Sequence, residues 1–145
     1  MRKFYQNMIW RDKLIKMREE KGAIVHVIPL AHAEFKEELG MKLLQEANDV
    51  YAADTHDKMV DEIVDVLEAI DCLLDFHGIP KEEIIALKAK KLAEFGSYTD
   101  HRLVDYVEYP VGSAEEKHCL DNPDKFPELD DEEVDGEHSI NTCCK

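Results

Sequence analysis

Basic residues are scarce in this 145-residue chain: 18 lysines and arginines stand against 33 aspartates and glutamates, a formal net charge of −15. This balance argues against an extended nucleic acid as a partner, because contact with a phosphate backbone requires clustered cationic side chains. Carboxylates do bind small phosphate compounds when a divalent cation lies between them. The composition is therefore compatible with a metal-chelated small phosphate.

Long apolar runs and regularly spaced cysteines are also missing. No stretch approaches the roughly eighteen apolar residues of a membrane span, and the first residues mix charge with apolar side chains, unlike a secretory signal. The four cysteines, Cys72, Cys119, Cys143 and Cys144, lack the spacing of a disulfide framework or a zinc site. We therefore expect a cytoplasmic protein with reduced thiols and no membrane partner.

The charge of the chain is concentrated toward its C-terminal end. Residues 113–145 carry eleven acidic and three basic residues, among them the acidic run Asp130–Glu133, and few residues that could build a core. The length leaves room for one folded domain. We predict a helical domain over residues 1–112 and an acidic, mobile tail over residues 113–145.

Four segments ahead of the predicted tail have helical periodicity. They cover about residues 8–21, 32–53, 57–77 and 80–94, and the third carries a broad apolar stripe. Glycines follow three of these segments, as is typical where helices end. The pattern predicts a mainly all-α fold built from a four-helix bundle.

Two short stretches break the helical period and favour extended structure. Residues 23–30 are rich in β-branched side chains, and residues 103–109 partly alternate apolar with charged positions. They allow a small two-stranded β appendage beside the helices.

Two pairs of carboxylates lie on the second and third predicted helices. Glu46 and Asp49 share one side of a helix at a spacing of three residues, and Glu62 and Asp65 repeat that spacing. In an antiparallel hairpin the four side chains would converge, and two acids 5 Å apart repel by ~3 kcal/mol at an effective dielectric of 20. Oxygen ligands select a hard cation such as Mg²⁺ or Mn²⁺. The alternative is an ordinary solvated helix face.

Four sequence blocks follow one another in an order known from a protein family. Residues 45–49 (QEAND) match a block E-E-x-x-E, and residues 62–65 (EIVD) match E-x-x-D. Residues 10–15 (WRDKLI) look like V-R-D-K-I-P, and residues 91–98 (KLAEFGSY) are similar to K-A-E-K-R-G-G-F. In this order the blocks resemble the all-α nucleoside triphosphate pyrophosphatase superfamily, the MazG-like and phosphoribosyl-ATP pyrophosphohydrolase-like proteins, over about residues 3–110.

The resemblance implies a MazG-like helical bundle that hydrolyses a nucleoside triphosphate to a monophosphate and pyrophosphate with Mg²⁺, or Mn²⁺ in its place. The implied catalytic residues are Gln45, Glu46, Asp49, Glu62 and Asp65. The last four would be the metal ligands. Our candidates for holding the substrate phosphates are the cations Arg11, Lys13 and Lys91. Members of the family pair or form tetramers, and the wide apolar face of the third helix favours a homodimer or homotetramer as well.

Three positions depart from the family pattern. Gln45 replaces the first acid of its block, Asp49 is one methylene shorter than glutamate, and Phe95 stands where the family tends to have arginine. These departures favour a site with one ion or an altered substrate. They also leave two alternatives to an enzyme: a helical oligomerisation or interaction protein without catalysis, and a nucleotide-binding module with diminished catalysis.

Overall fold

The computed structural model describes residues 1–129 of the chain as parts of two compact units, the first of residues Met1–Ser97 and the second beginning at Tyr98. The first unit contains the helices α1 (Asp12–Glu19), α2 (His32–Ala52), α3 (His56–His77) and α4 (Lys81–Phe95). The second contains the helix α5 (Ala114–Leu120). The predicted mainly helical class is confirmed.

Helices α2 and α3 form an antiparallel hairpin. They are joined by three residues, the last of which is Thr55. Thr55 caps the start of α3, because its hydroxyl accepts a hydrogen bond from the backbone N–H of Lys58 at 3.3 Å. At the opposite end of the hairpin, Phe76 of α3 stacks on His32 of α2 with ring centroids 4.5 Å apart. Gly78 then ends α3 in a left-handed conformation with a φ of +64°, which glycine adopts without strain.

The interior of this hairpin is small. Within residues 1–129 the buried apolar side chains are Leu39 on α2, 2 % exposed, and Ala69 on α3, 5 % exposed. Extensive packing between helices in this part of the chain is confined to α2 and α3. A four-helix bundle therefore stays a prediction, because α1 and α4 bury no residue completely.

The two stretches that favoured strands form neither a strand nor a helix. Within residues 1–129 no strand is assigned, so the two-stranded appendage is not seen there. The β-branched side chains of residues 23–30 favour an extended backbone but cannot supply a neighbouring strand. Pro29 also lacks the N–H that a strand ladder requires at that position.

A short helix, α5, lies inside the segment predicted as a tail. The side chain of Ser113 accepts a hydrogen bond from the backbone N–H of Glu116 at 3.1 Å, and the Glu116 carboxylate accepts one from the N–H of Gly112. The first contact satisfies a backbone donor in the first turn of the helix, and the second holds Gly112, the residue before the N-cap. The predicted acidic run Asp130–Glu133 and the Cys143–Cys144 pair lie outside the described residues.

Cys72 in the first unit and Cys119 in the second are free thiols. No helix within residues 1–129 has the length and apolar content that crossing a membrane requires.

Candidate metal centre

Three carboxylates meet between α2 and α3, and we call Glu46, Asp49 and Glu62 the acidic triad. One oxygen of each lies within 4.8 Å of one oxygen of the other two. Glu46 lies six residues before the end of α2, and Glu62 lies six residues after the start of α3. The antiparallel hairpin therefore places them at the same level.

The triad runs from the interior to the surface. Glu46 is only 4 % exposed, Glu62 is half-buried and Asp49 is exposed. A site with this gradient fixes its inner ligand in the packed hairpin and remains open to solvent at its outer ligand. Such a site can accept a small charged compound from outside without a large change in the fold.

The three negative charges of the triad repel one another. Burial raises the pKa of Glu62 above its ordinary value of 4.5, and the negative charges of Asp49 and Glu46 raise it further. A proton or a cation at this position would relieve both effects. The hairpin therefore holds Glu62 in surroundings that favour binding of positive charge.

Lys42 supplies one such charge and is not among the residues that the sequence interpretation singled out. It lies one turn before Glu46 on α2, and its ammonium group forms a short ion pair with that carboxylate. The spacing of four residues was the available signal, since lysine and glutamate one turn apart on a helix are neighbours.

The fourth predicted ligand, Asp65, is held by a cation from the N-terminal segment. The guanidinium of Arg11 donates a hydrogen bond to an Asp65 oxygen at 2.5 Å, and it also lies 3.8 Å from Glu68. The hydrogen bond to Asp65 raises the pKa of Arg11. Arg11 therefore contacts α3 at Asp65, which is one helical turn along the helix from Glu62.

The other predicted site residues lie at different distances from the acidic triad. Gln45 is next to Glu46 on α2, and its amide nitrogen donates a long hydrogen bond to the sulfur of Met8 at 3.7 Å. Lys13 on α1 and Lys91 on α4 are both exposed. Within residues 1–129, neither lysine forms an ion pair with the triad.

The donor atoms of the triad suit a hard divalent cation. All three ligands are carboxylate oxygens, which Mg²⁺ and Mn²⁺ prefer over softer donors. Neighbouring ligands of an octahedral Mg²⁺ ion are about 3 Å apart, and the three oxygens lie within 4.8 Å of one another. The acidic triad could therefore bind one metal ion after small side-chain rotations.

In comparisons with known proteins, the chain matches no family model, no curated protein and no solved structure. The resemblance to the MazG-like proteins therefore stays a prediction carried by the four sequence blocks.

Proposed function

We propose that this protein is a Mg²⁺-dependent nucleotide pyrophosphohydrolase, which cleaves a nucleoside triphosphate or a related small nucleotide to a monophosphate and pyrophosphate. The observation that carries the proposal is the convergence of the carboxylates of Glu46, Asp49 and Glu62 within 4.8 Å. The order of the sequence blocks supports the same reaction.

The acidic triad would hold the ion, and Asp65 is the proposed fourth ligand. When bound, Mg²⁺, or Mn²⁺ in its place, supplies positive charge that offsets the charge of the substrate phosphates. Glu46 is fixed by burial and Asp49 faces solvent, so the nucleotide would approach from the side of Asp49.

The neighbouring side chains have proposed roles in attack and binding. Gln45 or one of the carboxylates would orient a water for in-line attack at the α-phosphorus. Arg11 would contact the outer phosphates, since its guanidinium is already beside α3 and matches phosphate oxygens in shape. Lys13 and Lys91 are the further candidates for phosphate contact.

We also propose that the protein assembles as a homodimer or homotetramer. Large apolar side chains remain exposed on α3 and α4, with exposed fractions of 48 % for Val60, 57 % for Leu67, 67 % for Ile85 and 56 % for Leu92. Contact with a second copy would cover this surface. Light scattering should give a multiple of the chain mass of 16.7 kDa, and a mass of a single chain would contradict assembly.

The same exposed side chains favour the second candidate function, a helical oligomerisation or interaction protein that binds a nucleotide weakly or not at all. This candidate differs from the enzyme in one measurable respect. A scaffold would cleave no nucleotide and would not need Mg²⁺.

A pyrophosphate-release assay with a panel of nucleotides tests the enzyme proposal. With Mg²⁺, the wild-type chain should release pyrophosphate, and Glu62→Gln should lower the rate about a hundredfold or more. Glu37→Gln, an exposed position on α2 outside the triad, is the matched control and should keep the wild-type rate. No release from any nucleotide, with no rise in melting temperature on adding Mg²⁺, would favour the scaffold.

A further inference from the structure

A cleft of about 480 Å³ lies between the N-terminal segment and α2, next to the acidic triad. Asp49 belongs to both, since it lines the cleft and contributes an oxygen to the triad. The volume is within the range of about 300–1,000 Å³ that is usual for small-molecule sites. A compound in this cleft would therefore have one end close to the carboxylates. We call this space the α2 cleft.

We propose that the α2 cleft binds the nucleobase of the substrate, so that hydrolysis depends on the base; this inference rests on the proposed function. The walls fit a flat apolar ring. Met8 and Ile9 contribute from the N-terminal segment, and Met41 and Leu44 contribute from α2. Flexible thioethers make favourable contacts with aromatic rings, and both methionines are accessible, with exposed fractions of 39 % for Met8 and 61 % for Met41.

Three amide side chains line the same cleft: Asn7, Gln45 and Asn48. An amide offers both a donor and an acceptor, which is what pairing with the edge of a nucleobase requires. Gln45 and Asn48 are three residues apart on α2, so they project from one side of the helix. The cleft therefore combines apolar side chains with amides that can pair with a base edge. The charged side chains of Glu38 and Lys42 line it as well.

The contact that Gln45 makes is easily exchanged. Its amide nitrogen donates to the sulfur of Met8 at 3.7 Å, and a thioether is a weak acceptor. A base nitrogen or carbonyl would be a stronger partner for the same donor. In this arrangement Gln45 contacts the base, and one of the carboxylates orients the attacking water. A glutamate at this position would bring a further negative charge and no donor.

The base and the phosphates of a nucleotide match the α2 cleft and the acidic triad, respectively. Gln45 and Asp49 are one turn apart along α2, about 6 Å, so a base against Gln45 leaves its phosphates toward the triad. Three cations could meet those phosphates: Mg²⁺ at the triad, Arg11 beside Asp65, and Lys42, which lines the cleft.

Calorimetric titration in the presence of Mg²⁺ tests the proposal with two kinds of probe: the four common nucleoside monophosphates, and ribose 5-phosphate, which has no base. At least one monophosphate should bind about tenfold or more tightly than ribose 5-phosphate. Asn48→Ala, at an exposed position, should weaken binding of that monophosphate about fivefold to tenfold and leave ribose 5-phosphate within about twofold. Gln6→Ala, an amide outside the cleft, is the matched control and should change neither.

Equal affinity for ribose 5-phosphate and all four monophosphates would overturn the proposal, and so would equal weakening of both probes by Asn48→Ala. Failure of the proposed function has a different signature. If binding of monophosphates depends on the base and on Asn48 but no pyrophosphate is released, the nucleobase site is supported and the hydrolase activity is contradicted. If pyrophosphate is released at a rate that does not depend on the base, the hydrolase activity is supported and the nucleobase site is contradicted.

Discussion

Replacing Lys42 by methionine isolates the electrostatic balance inside the acidic triad. The methionine keeps most of the apolar stem of lysine and removes only the charged end. In the metal-free protein this leaves Glu46, which is almost completely buried, without its cation. We expect Lys42→Met to destabilise the metal-free fold.

The size of the loss follows from the burial of the two side chains. The side chain of Glu46 is 5 % exposed and that of Lys42 is 26 % exposed. Breaking an ion pair that is buried on both sides costs about 3–5 kcal/mol, whereas an exposed pair contributes less than about 1 kcal/mol. Because Lys42 is partly solvated, we expect about 2 kcal/mol, or a fall in melting temperature of about 8 °C.

Thermal unfolding followed by circular dichroism in EDTA measures this loss. Lys36→Met, an exposed lysine on the same helix, is the matched control and should change the melting temperature by no more than about 2 °C. Adding Glu46→Gln to Lys42→Met should recover about half of the loss, because the buried charge is then gone. Mg²⁺ should stabilise Lys42→Met more than the wild type, since the ion takes the place of the missing ammonium group.

Two results would refute this reasoning. The first is a loss no larger than that of Lys36→Met, which would mean that the buried carboxylate does not depend on its partner. The second is a Lys42→Met protein that Mg²⁺ stabilises less than the wild type, which would place the ion away from Glu46.

Three further predictions concern the core, the pH dependence and the second unit. Leu39→Ala should cost about 3 kcal/mol in urea unfolding, against less than about 1 kcal/mol for the exposed Leu44→Ala; similar losses would show that the α2–α3 interior is not the core. Because the pKa of Glu62 is raised in the fold, its ionisation removes stability as the pH rises above 4.5. Glu62→Gln should therefore have a higher melting temperature than the wild type at pH 7 in EDTA and an equal one near pH 3.5, whereas a difference that is larger at the acidic pH would have the wrong sign. A chain ending at Gly112 should keep helices α1 to α4 and its pyrophosphate release, and loss of either would show that the following residues support the first unit.

The helices of the hairpin could be predicted closely because their ends have local signals. Thr55 and Gly78 mark the two ends of α3 through a side-chain acceptor and a left-handed backbone, and both residues are visible in the sequence. The prediction for α1 was too long at its start. It covered residues 8–21, whereas the helix spans Asp12–Glu19, with Arg11 at the N-cap making no side-chain capping hydrogen bond.

The candidate site could be predicted only in part. Contacts that depend on local spacing were predictable, and contacts between residues far apart in the sequence were not. Helix spacing and a short connection suffice to predict that Glu46, Asp49 and Glu62 come together. The contact between Arg11 and Asp65 joins residues 54 positions apart, and no local pattern reports it. Two local signals were overlooked: the spacing of Lys42 from Glu46, and the serine and glutamate three residues apart that begin α5 at Ser113.

Hydrolysis in water enriched in oxygen-18 tests the proposed activity most directly. The chain is incubated with Mg²⁺ and the nucleotide that it cleaves fastest, and the products are separated and weighed by mass spectrometry. Attack at the α-phosphorus predicts the heavy oxygen in the nucleoside monophosphate and none in the pyrophosphate. Release of labelled inorganic phosphate, or no product from any nucleotide, would contradict a nucleotide pyrophosphohydrolase.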